Sequence, residues 1–469
     1  MPDLEEVPQQ GTKRYLPAPP GPPGYLLFKL PSLQKTPIEY LGTLHQEYGD
    51  LVRLPIMPGL TLYSAIHPDH AEHILSTYPN RYGKPDFFLK PMGLVQGQGL
   101  FTSEGDLWQK HRRLMQPAFQ QKKLVYIHTV MLKCVQSLIR EWEEKPEGAV
   151  IDIAAEMTRL TLQIVSLALF SVDISQESDA LGKAFRTALA YVYFRLTSPL
   201  AVPVWLPTPR NLKFRQAKQT LNRIVLDIIQ SRRYDRTEHY DLLSMLLTAQ
   251  DAETQTGMSD RQLQDEVITL INAGHETMAT ALAWTWYILG THPHILTRIE
   301  DEINTELGAE APSFETLPQL EYTGRVFDES LRLYPPGIGL APRMALERDE
   351  LQGYAIPKGA IININSYFTS RHRQYWDDAE QFDPDRFLPD QVHRHKYAYL
   401  PFGAGPHVCI GKNFALMEAK TILAAIIQKF RISLVPNQPI EIDPRFTLRP
   451  KYGIKVTIHQ KTDRYAATG

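Results

Sequence analysis

Apolar residues recur along much of the chain at the three- and four-residue spacing of an amphipathic helix. This periodicity predicts long helices over residues 124–142, 152–170, 212–232 and 260–290, and a further apolar helix over 413–430. Ser259 and Gln262 predict the start of the fourth helix, because a Ser N-cap followed three residues later by Gln can form a capping box. We therefore expect a mostly helical body.

Shorter strand-like runs lie on either side of this body. Residues 51–66 contain two such runs around a Met-Pro-Gly turn, and residues 354–362 have the pattern of a strand, a Pro-Lys-Gly turn and a second strand. Short β-like runs follow the last helix and continue to residue 459. Repeated Gly and Pro residues predict that the segment 82–103 is irregular.

These elements predict a mainly α fold with a smaller β-rich part. We place a Pro-rich lead at 1–24 and a single domain at 25–469, with its β-rich part from about 25–80 and 337–400 and its helical body at about 104–335 and 411–430. The most apolar stretch contains Asp152, Glu156 and Arg159, and charged side chains are energetically costly in the bilayer interior. The amino terminus lacks the apolar segment of a signal peptide. We therefore expect no transmembrane anchor and a cytoplasmic protein.

Composition narrows the possible chemistry. The 469 residues include 50 basic and 52 acidic side chains, so the chain has no electrostatic signature of nucleic-acid binding. Its two cysteines, Cys134 and Cys409, are too few for a disulfide scaffold or a Cys-rich metal cluster. Cys134 lies on an amphipathic helix among Val130, Leu138 and Ile139, and we interpret it as a core residue.

Cys409 has unusual neighbours. It lies in the sequence Phe-Gly-Ala-Gly-Pro-His-Val-Cys-Ile-Gly at 402–411, where two glycines and a proline favour a tight loop. A helix predicted just after the loop would direct its first N–H groups toward the sulfur and stabilise a thiolate. An isolated cysteine is more often a buried structural residue, but this pattern is expected by chance only about 10⁻⁵ times in such a chain.

The segment resembles the haem-thiolate loop of the cytochrome P-450 superfamily, in which one cysteine is the proximal iron ligand. The resemblance implies the cytochrome P-450 fold and haem b, iron protoporphyrin IX, as cofactor. It implies that Cys409 ligates the iron and that Phe402 packs beside the sulfur. His407 stands where many members have an Arg that holds a haem propionate, so the charge of that contact would depend on pH.

A second match is Glu329-x-x-Arg332, which precedes Pro335-Pro336. The spacing alone is weak, because Glu156-x-x-Arg159 has it too and such pairs are common on helix surfaces. The family resemblance implies that Glu329 and Arg332 form a buried structural network with Arg386.

A third match is Ala273-Gly274-His275-Glu276-Thr277 within a predicted long helix. An ordinary core helix is the alternative interpretation, and a zinc-protease motif fails because Ala279 stands where its second histidine would be. The resemblance implies an oxygen-activating site, in which small Ala273 and Gly274 leave room near the haem and Glu276 and Thr277 relay protons as catalytic residues.

A fourth match is Trp108-Gln109-Lys110-His111-Arg112. An indole N–H and a guanidinium one helical turn apart can both reach a haem propionate, although a solvated helix face with one buried Trp has the same pattern. Arg343 is a further propionate candidate by position after the Glu-x-x-Arg helix.

These matches imply a monooxygenase that inserts one atom of dioxygen into a C–H or double bond. A haem-thiolate peroxygenase or isomerase and a non-catalytic haem sensor are the alternatives. Only about 60 residues follow Cys409, too few for a reductase domain, so we expect an external ferredoxin- or flavodoxin-type reductant, with Lys110, Arg113 and Lys412 as candidates for its docking patch.

The expected substrate is a lipophilic small molecule such as a fatty acid or terpenoid, because the candidate pocket walls are apolar. Those walls include Phe87, Phe88, Leu89, Leu94, Tyr191 to Phe194, Ile338 and Leu340. The region 190–210, with Pro199, Pro203, Pro207 and Pro209, resembles the mobile lid of the family.

Overall fold

The structure is a computed structural model that describes residues 5–7, 14–26, 36–174, 177–198, 201–235, 237, 239–251, 253, 255–391 and 393–461. Its α-helices are α1 Pro37–Tyr48, α2 Pro68–Glu72, α3 Asp86–Gln96, α4 Gly105–Met115, α5 Gln121–Glu143, α6 Ile153–Phe170, α7 Ser178–Thr197, α8 Pro209–Tyr234, α9 Leu242–Thr248, α10 Asp260–Thr291, α11 Pro293–Glu306, α12 Glu321–Leu333, α13 Ser366–Thr369 and α14 Lys412–Lys429. Its strands are β1 Glu5–Val7, β2 Arg14–Leu16, β3 Leu51–Met57, β4 Leu60–Ala65, β5 Tyr82–Gly83, β6 Ala149–Asp152, β7 Arg343–Ala345, β8 Asp349–Leu351, β9 Tyr354–Ile356, β10 Ile361–Ile364, β11 Phe430–Leu434, β12 Ile442–Asp443, β13 Arg449–Pro450 and β14 Lys455–Gln460.

The helical body is built around α10 and α6, which pack along each other through the main hydrophobic core. The Ser259 hydroxyl accepts a hydrogen bond from the Gln262 N–H, and Oε1 of Gln262 accepts one from the Ser259 N–H, so the predicted capping box forms. Asp152 caps α6 through the N–H groups of Ala154 and Ala155, at 3.1 and 3.4 Å. The periodicity therefore located the long helices correctly.

Helix α6 is the one described helix that is long and apolar enough to cross a membrane by length and composition. Within the protein, 61% of that segment is buried, and α6 contacts α10, α5 and α7. Its apolar character is thus accounted for by packing in the core.

The β-rich part joins the two ends of the chain. A five-stranded sheet has the order β3-β4-β10-β7-β5, in which β4 and β10 are parallel and the other neighbours antiparallel. The two strands predicted within 354–362 are present, but β9 pairs with β8 while β10 lies between β4 and β7. The Pro-Lys-Gly turn therefore passes the chain from one sheet to another and does not close a hairpin.

The prediction of an irregular segment over 82–103 is wrong, because α3 occupies half of it. Pro91 lies inside this helix and removes one backbone hydrogen bond, which is normally unfavourable. Phe88, Met92 and Val95 are all buried at helical spacing on one face of α3. The packing of that face outweighs the local preference of Pro and Gly against a helix.

Candidate active site

The loop around Cys409 is held by its own backbone and by a close neighbour. The Cys409 N–H donates to the Phe402 carbonyl oxygen at 2.9 Å, which closes the loop. Gly405 has a φ of +68°, and a Cβ atom there would lie 1.8 Å from the Leu75 carbonyl oxygen. Only glycine fits this position, so the loop depends on backbone-to-backbone contact with residues 73–77.

Cys409 itself is exposed at the end of this loop, directly before α14. The protein crowded around the residue raises the pKa of its thiol by disfavouring the charged form. The Gly411 N–H and the Arg112 guanidinium act in the opposite direction and favour the thiolate. The surroundings therefore provide the partners that a metal-binding thiolate needs.

Several predicted residues from distant segments meet at the loop. The Trp108 and His407 rings lie 4.0 Å apart between centroids, and Arg112 donates to the Val408 carbonyl oxygen at 2.9 Å. Arg343 is buried on β7 and donates to the Ala341 carbonyl oxygen at 2.8 Å. The structure thus brings together the candidates from α4, β7 and the Cys409 loop.

Lys84 joins this group and was missed from the sequence. Its buried ammonium pairs with Glu104 at 2.9 Å and donates to the Ser103 carbonyl oxygen at 3.0 Å. The sequence provided little indication of this role, because a lysine between Gly83 and Pro85 is typical of an exposed turn. Burial lowers the pKa of Lys84, and the Glu104 carboxylate partly restores it.

The charge of this group fits a haem. The charges acting on His407 include those of Lys84, Arg343 and Arg112, against the carboxylate of Glu104. Burial, together with the positive charges of Lys84 and Arg343, lowers the pKa of His407 to about 4, so its ring is neutral at pH 7. A partly buried excess of positive charge beside an exposed cysteine suits a ligand that carries two carboxylates next to a metal.

Helix α10 has a short exposed patch in its otherwise buried middle. Ala273 and Thr277, one turn apart, are exposed, whereas His275 is buried and contacts the Ile271 carbonyl oxygen at 2.8 Å. The Thr277 hydroxyl donates to the Ala273 carbonyl oxygen at 2.7 Å. The patch therefore offers a small side chain and a hydroxyl on the same face.

Glu276 is directed to a different place from Thr277. Its Oε1 atom accepts a hydrogen bond from the Thr447 hydroxyl at 3.0 Å. Both residues line a small, partly open cavity, whose other walls are Arg186, Leu189, Ala190, Tyr193, Arg445, Phe446 and Arg449. The acid thus lies at a polar cavity, separate from the patch that carries Thr277.

The interpretation of Gly274 as leaving room for dioxygen is not supported. A Cβ atom at Gly274 would lie 2.7 Å from Cγ2 of Val165 on α6. The absence of a side chain is explained by the close approach of α6 and α10. Small residues next to each other on a helix face different neighbours, so Ala273 and Gly274 need separate explanations.

The Glu329–Arg332 pair is fully buried. Nε and Nη2 of Arg332 donate to the two carboxylate oxygens of Glu329 at 2.6 and 2.8 Å. The guanidinium also donates to the carbonyl oxygens of Ser370, Ala379 and Gln381. The pair therefore ties α12 to the segment that follows α13.

Arg386 borders this pair at a longer distance. Its Nε lies 3.5 Å from Oε1 of Glu329, and its guanidinium donates to the carbonyl oxygens of Asp377 and Asp378. Burial raises the pKa of Glu329, and the Arg332 guanidinium opposes that shift. The three predicted residues thus lie together, with Arg332 making the closest contact.

The predicted pocket residues separate into two groups. Phe87 is exposed, and Leu94, Ile338 and Leu340 are half-buried. Phe88 belongs to the main core and contacts Phe101 at 5.8 Å between ring centroids, so its side chain serves packing.

The region predicted to be a lid is partly helical. Tyr191 on α7 donates to the Asn211 side chain at 2.7 Å and stacks on Phe214, so it holds α7 to α8. Pro199 lies outside the described residues.

Two of the three candidate docking cations are already engaged. Lys110 donates to the Thr256 hydroxyl and the Gly257 carbonyl oxygen at 2.6 and 3.2 Å. Arg113 donates to the Asp251 carboxylate at 3.0 Å. Only Lys412 of the three is exposed in this part of the structure.

Comparison with known proteins agrees with this fold. The Cytochrome P450 family model matches residues 18–458. The chain is 35% identical over 408 residues to the cyclooctat-9-en-7-ol 5-monooxygenase of Streptomyces melanosporofaciens, covering 87% of each chain. It is 33% identical to the pentalenene oxygenase of Streptomyces avermitilis, covering 87% of this chain and 89% of that one.

A solved structure gives the same result for the fold. The crystal structure of the cytochrome P450DA heme domain superposes with a TM-score of 0.85 at 29% identity, covering 96% of this chain and 99% of the other. The chain therefore belongs to the cytochrome P450 family, and it is a cytochrome P450 monooxygenase.

Proposed function

We propose that Cys409 is the axial thiolate ligand of a haem b and that the chain oxidises a lipophilic small molecule with electrons from a separate protein. The observation that carries this proposal is the position of Cys409. It lies exposed directly before α14, where burial raises the pKa of its thiol and the Gly411 N–H and the Arg112 guanidinium oppose that shift.

The surrounding residues would bind and orient the cofactor. Trp108, Arg112, Arg343 and His407 would hold the propionates, with Lys84 as an additional cation. Phe402 would pack beside the sulfur, since its carbonyl oxygen already accepts the Cys409 N–H. When bound, a haem with a thiolate ligand supplies the activation of dioxygen and the transfer of one oxygen atom to substrate.

Glu276 and Thr277 would move the protons that this reaction consumes. Thr277 presents a hydroxyl on the exposed patch of α10, and Ala273 leaves space beside it. Glu276 lies at the polar cavity, where it can exchange protons with water that enters past the arginines. If the Glu276 side chain rotates, its carboxylate can pass a proton from that cavity to the adjacent Thr277 hydroxyl on the patch.

An external ferredoxin- or flavodoxin-type protein would deliver the electrons. Lys412 is the candidate that supports docking, because it is exposed at the first position of α14, three residues after Cys409. Lys110 and Arg113 contribute less, since their charges are directed to the 251–257 segment. We also propose that the chain acts in the cytoplasm.

The substrate class follows from the apolar residues and the relatives. Phe87, Leu94, Ile338 and Leu340 are apolar and only partly buried. The two Streptomyces relatives are named for cyclooctat-9-en-7-ol and pentalenene. Of the classes that fit an apolar pocket, we therefore propose a terpenoid over a fatty acid.

Substitution of Thr277 tests the reaction type. In a monooxygenase supplied with NADH and a surrogate ferredoxin system, Thr277→Ala should lower product per NADH about tenfold or more and raise peroxide correspondingly. Thr277→Ser keeps the hydroxyl and should restore most of the coupling. A peroxygenase, a haem isomerase or a haem sensor would show no such change, and that result would contradict the proposal.

A further inference from the structure

The connection between α7 and α8 exposes several apolar side chains close together along the chain. Trp205 is 72% exposed, Leu212 50% and Val202 38%. The prolines of the same segment are exposed as well: Pro203, Pro207 and Pro209. Single exposed apolar residues are common on proteins, whereas a group of them marks a surface that meets a partner. Residues 201–213 are called the loop face below.

Arginines on the two flanking helices bond to the backbone of the loop face. Arg195 near the end of α7 donates to the Val202 carbonyl oxygen. Arg215 on α8 donates to the Val204 carbonyl oxygen at 2.8 Å. Each guanidinium therefore has a fixed position, and each carbonyl oxygen has a partner other than water.

Asn211 completes this arrangement from the interior, since the residue is only 1% exposed. Its side-chain amide donates to the carbonyl oxygens of Pro203 and Leu206, each at 2.9 Å, and its Oδ1 atom accepts the Tyr191 hydroxyl at 2.7 Å. The N–H groups of Leu206 and Thr208 also donate within the segment, and prolines have no N–H to satisfy. A loop with so few free backbone groups can leave water at small cost.

Charge also distinguishes this part of the chain. Residues 180–226 contain five arginines and three lysines and no aspartate or glutamate, although the whole chain has 50 basic and 52 acidic side chains. Arg210 and Lys213 are exposed in the first two turns of α8, and Arg210 lies over the Phe194 ring at 3.9 Å. This local excess of positive charge attracts an anionic surface.

We propose that the loop face binds the surface of an anionic phospholipid bilayer. Trp205 would lie among the headgroups, where indole rings are favoured, with Val202 and the prolines beside it. Arg210 and Lys213 would pair with lipid phosphates. An acidic protein would also attract these cations, but the exposed tryptophan and the internally satisfied backbone favour a lipid surface over a protein surface.

The attachment would be peripheral, because the loop face is long enough only to enter the interface of the bilayer. Helix α7 leads from the loop face to the polar cavity, whose walls include Leu189, Ala190 and Tyr193. A lipophilic substrate dissolved in the bilayer would therefore be close to that cavity. This consequence rests on the proposed function, whereas the binding of the bilayer does not.

Sedimentation of the full-length holoenzyme with vesicles tests the proposal. In about 0.1 M NaCl, more than half of the protein should sediment with about 1 mM lipid composed of phosphatidylcholine and phosphatidylglycerol in equal amounts. Binding to phosphatidylcholine alone should be at least about tenfold weaker. Trp205→Ser should weaken binding to the anionic vesicles at least about fivefold, and Arg210→Glu/Lys213→Glu at least about tenfold.

Two matched variants control for the chemistry of these substitutions. Tyr234→Ser removes an aromatic side chain that is 86% exposed at the last residue of α8, and the 26 residues of that helix place it about 35–40 Å from the first turn. Lys133→Glu/Lys358→Glu reverses two exposed cations on α5 and in the Pro-Lys-Gly turn. Both controls should bind the anionic vesicles as the wild type does.

Quenching of tryptophan fluorescence by brominated lipid in the wild type does not depend on how the variants fold. Among the described residues Trp205 is the one strongly exposed tryptophan, so its emission should be quenched when the protein binds anionic vesicles. Less than a tenth of the protein sedimenting with anionic vesicles, equal binding to phosphatidylcholine alone, or an unchanged affinity in Trp205→Ser would each overturn the proposal.

Soluble polyglutamate separates a lipid surface from an acidic protein. Binding of polyglutamate by a wild type that does not bind the vesicles would show that the loop face recognises an acidic protein, and the proposal would be wrong. None of these measurements depends on the oxidation of a substrate, so their failure and the failure of the proposed function can be told apart.

Discussion

Two regions of the molecule carry the same short sequence features, a cysteine and a Glu-x-x-Arg pair. In the α5–α6 region, Cys134 is 3% exposed in the main core, and Glu156 and Arg159 form an ion pair of 3.0 Å that is partly open to solvent. In the second region, called the cysteine-loop region here, Cys409 is exposed in its loop and the Glu329–Arg332 pair is fully buried.

The difference shows that spacing determines a contact and that burial determines its role. Both Glu-x-x-Arg pairs form, as the i,i+3 spacing predicts. Arg159 shares its charge with Glu141 at the surface, whereas Arg332 also satisfies three backbone carbonyl groups in the interior. A motif match is therefore informative only together with the surroundings that the fold gives it.

The largest expected difference between the regions concerns these two pairs. Glu329→Gln would leave the Arg332 charge buried without its carboxylate, and we expect a loss of about 3–5 kcal/mol in the free energy of unfolding. Glu156→Gln should cost about 0–1 kcal/mol, because its pair is partly solvated. Urea denaturation of both variants, followed by circular dichroism, measures the two losses. Equal losses would show that the burial of the first pair has no energetic consequence.

Two glycines with positive φ give the next comparison. Gly405→Ala would place Cβ against the Leu75 carbonyl oxygen, so the loop must shift, and we expect several-fold lower haem content per chain. Gly148 in the α5–α6 region has a φ of +72°, and a Cβ atom there would lie 3.5 Å from its nearest neighbour, Cε1 of His459. Gly148→Ala should therefore cost only about 1–2 kcal/mol and leave haem content unchanged. Haem content by absorbance and thermal midpoint test both statements.

Asp328, next to the buried pair, predicts a pH dependence in the cysteine-loop region. Burial raises its pKa to about 6, from 3.8 for an ordinary Asp. The folded state then binds more protons than the unfolded state between these values, so this group makes the protein less stable as pH rises from about 4 to 6. Asp328→Asn should remove that loss. The free energy of unfolding of the variant, relative to that of the wild type, should therefore be about 1–2 kcal/mol higher at pH 7.5 than at pH 4.5.

Urea denaturation at the two pH values measures this gain. The carboxamide oxygen of the variant can still accept the Tyr399 hydroxyl, which donates to Asp328 at 3.0 Å in the wild type. A stability difference that is the same at both pH values would show that Asp328 does not titrate in this range.

The smallest effect is expected at the second cysteine. Cys134 is a core residue, and burial raises the pKa of its thiol to about 12, so it stays neutral and unreactive. Cys134→Ala removes one buried sulfur and should cost about 1–2 kcal/mol. Activity per haem should be unchanged. A loss of activity per haem at unchanged haem content would give Cys134 a role that its surroundings do not support.

The sequence predicted those parts of the fold that depend on local preference and periodicity. The long helices and the capping box at Ser259 were located because each repeats a local pattern over many residues. Helix α3 was missed because Pro91 and the glycines around it oppose a helix locally, and only the packing of Phe88, Met92 and Val95 in the folded chain overrides them.

The site residues that lie in sequence motifs could be predicted, and those outside motifs could not. Cys409 and Glu329–Arg332 lie in recognisable segments, whereas Lys84 reaches the same region from a turn with no such pattern. The contact between Glu276 and Thr447 joins residues 171 positions apart, and no local signal specifies it. Long-range contacts of this kind depend on the complete fold.

The most direct test of the central claim compares the two cysteines by haem spectroscopy. The reduced carbon monoxide complex of the wild type and of Cys134→Ala should show the red-shifted Soret band of thiolate ligation, and Cys409→Ala should lack it. Haem content determined by a ligand-independent assay keeps loss of cofactor separate from loss of the thiolate. Persistence of the red-shifted band in Cys409→Ala, or its disappearance in Cys134→Ala, would contradict the assignment of Cys409 as the iron ligand.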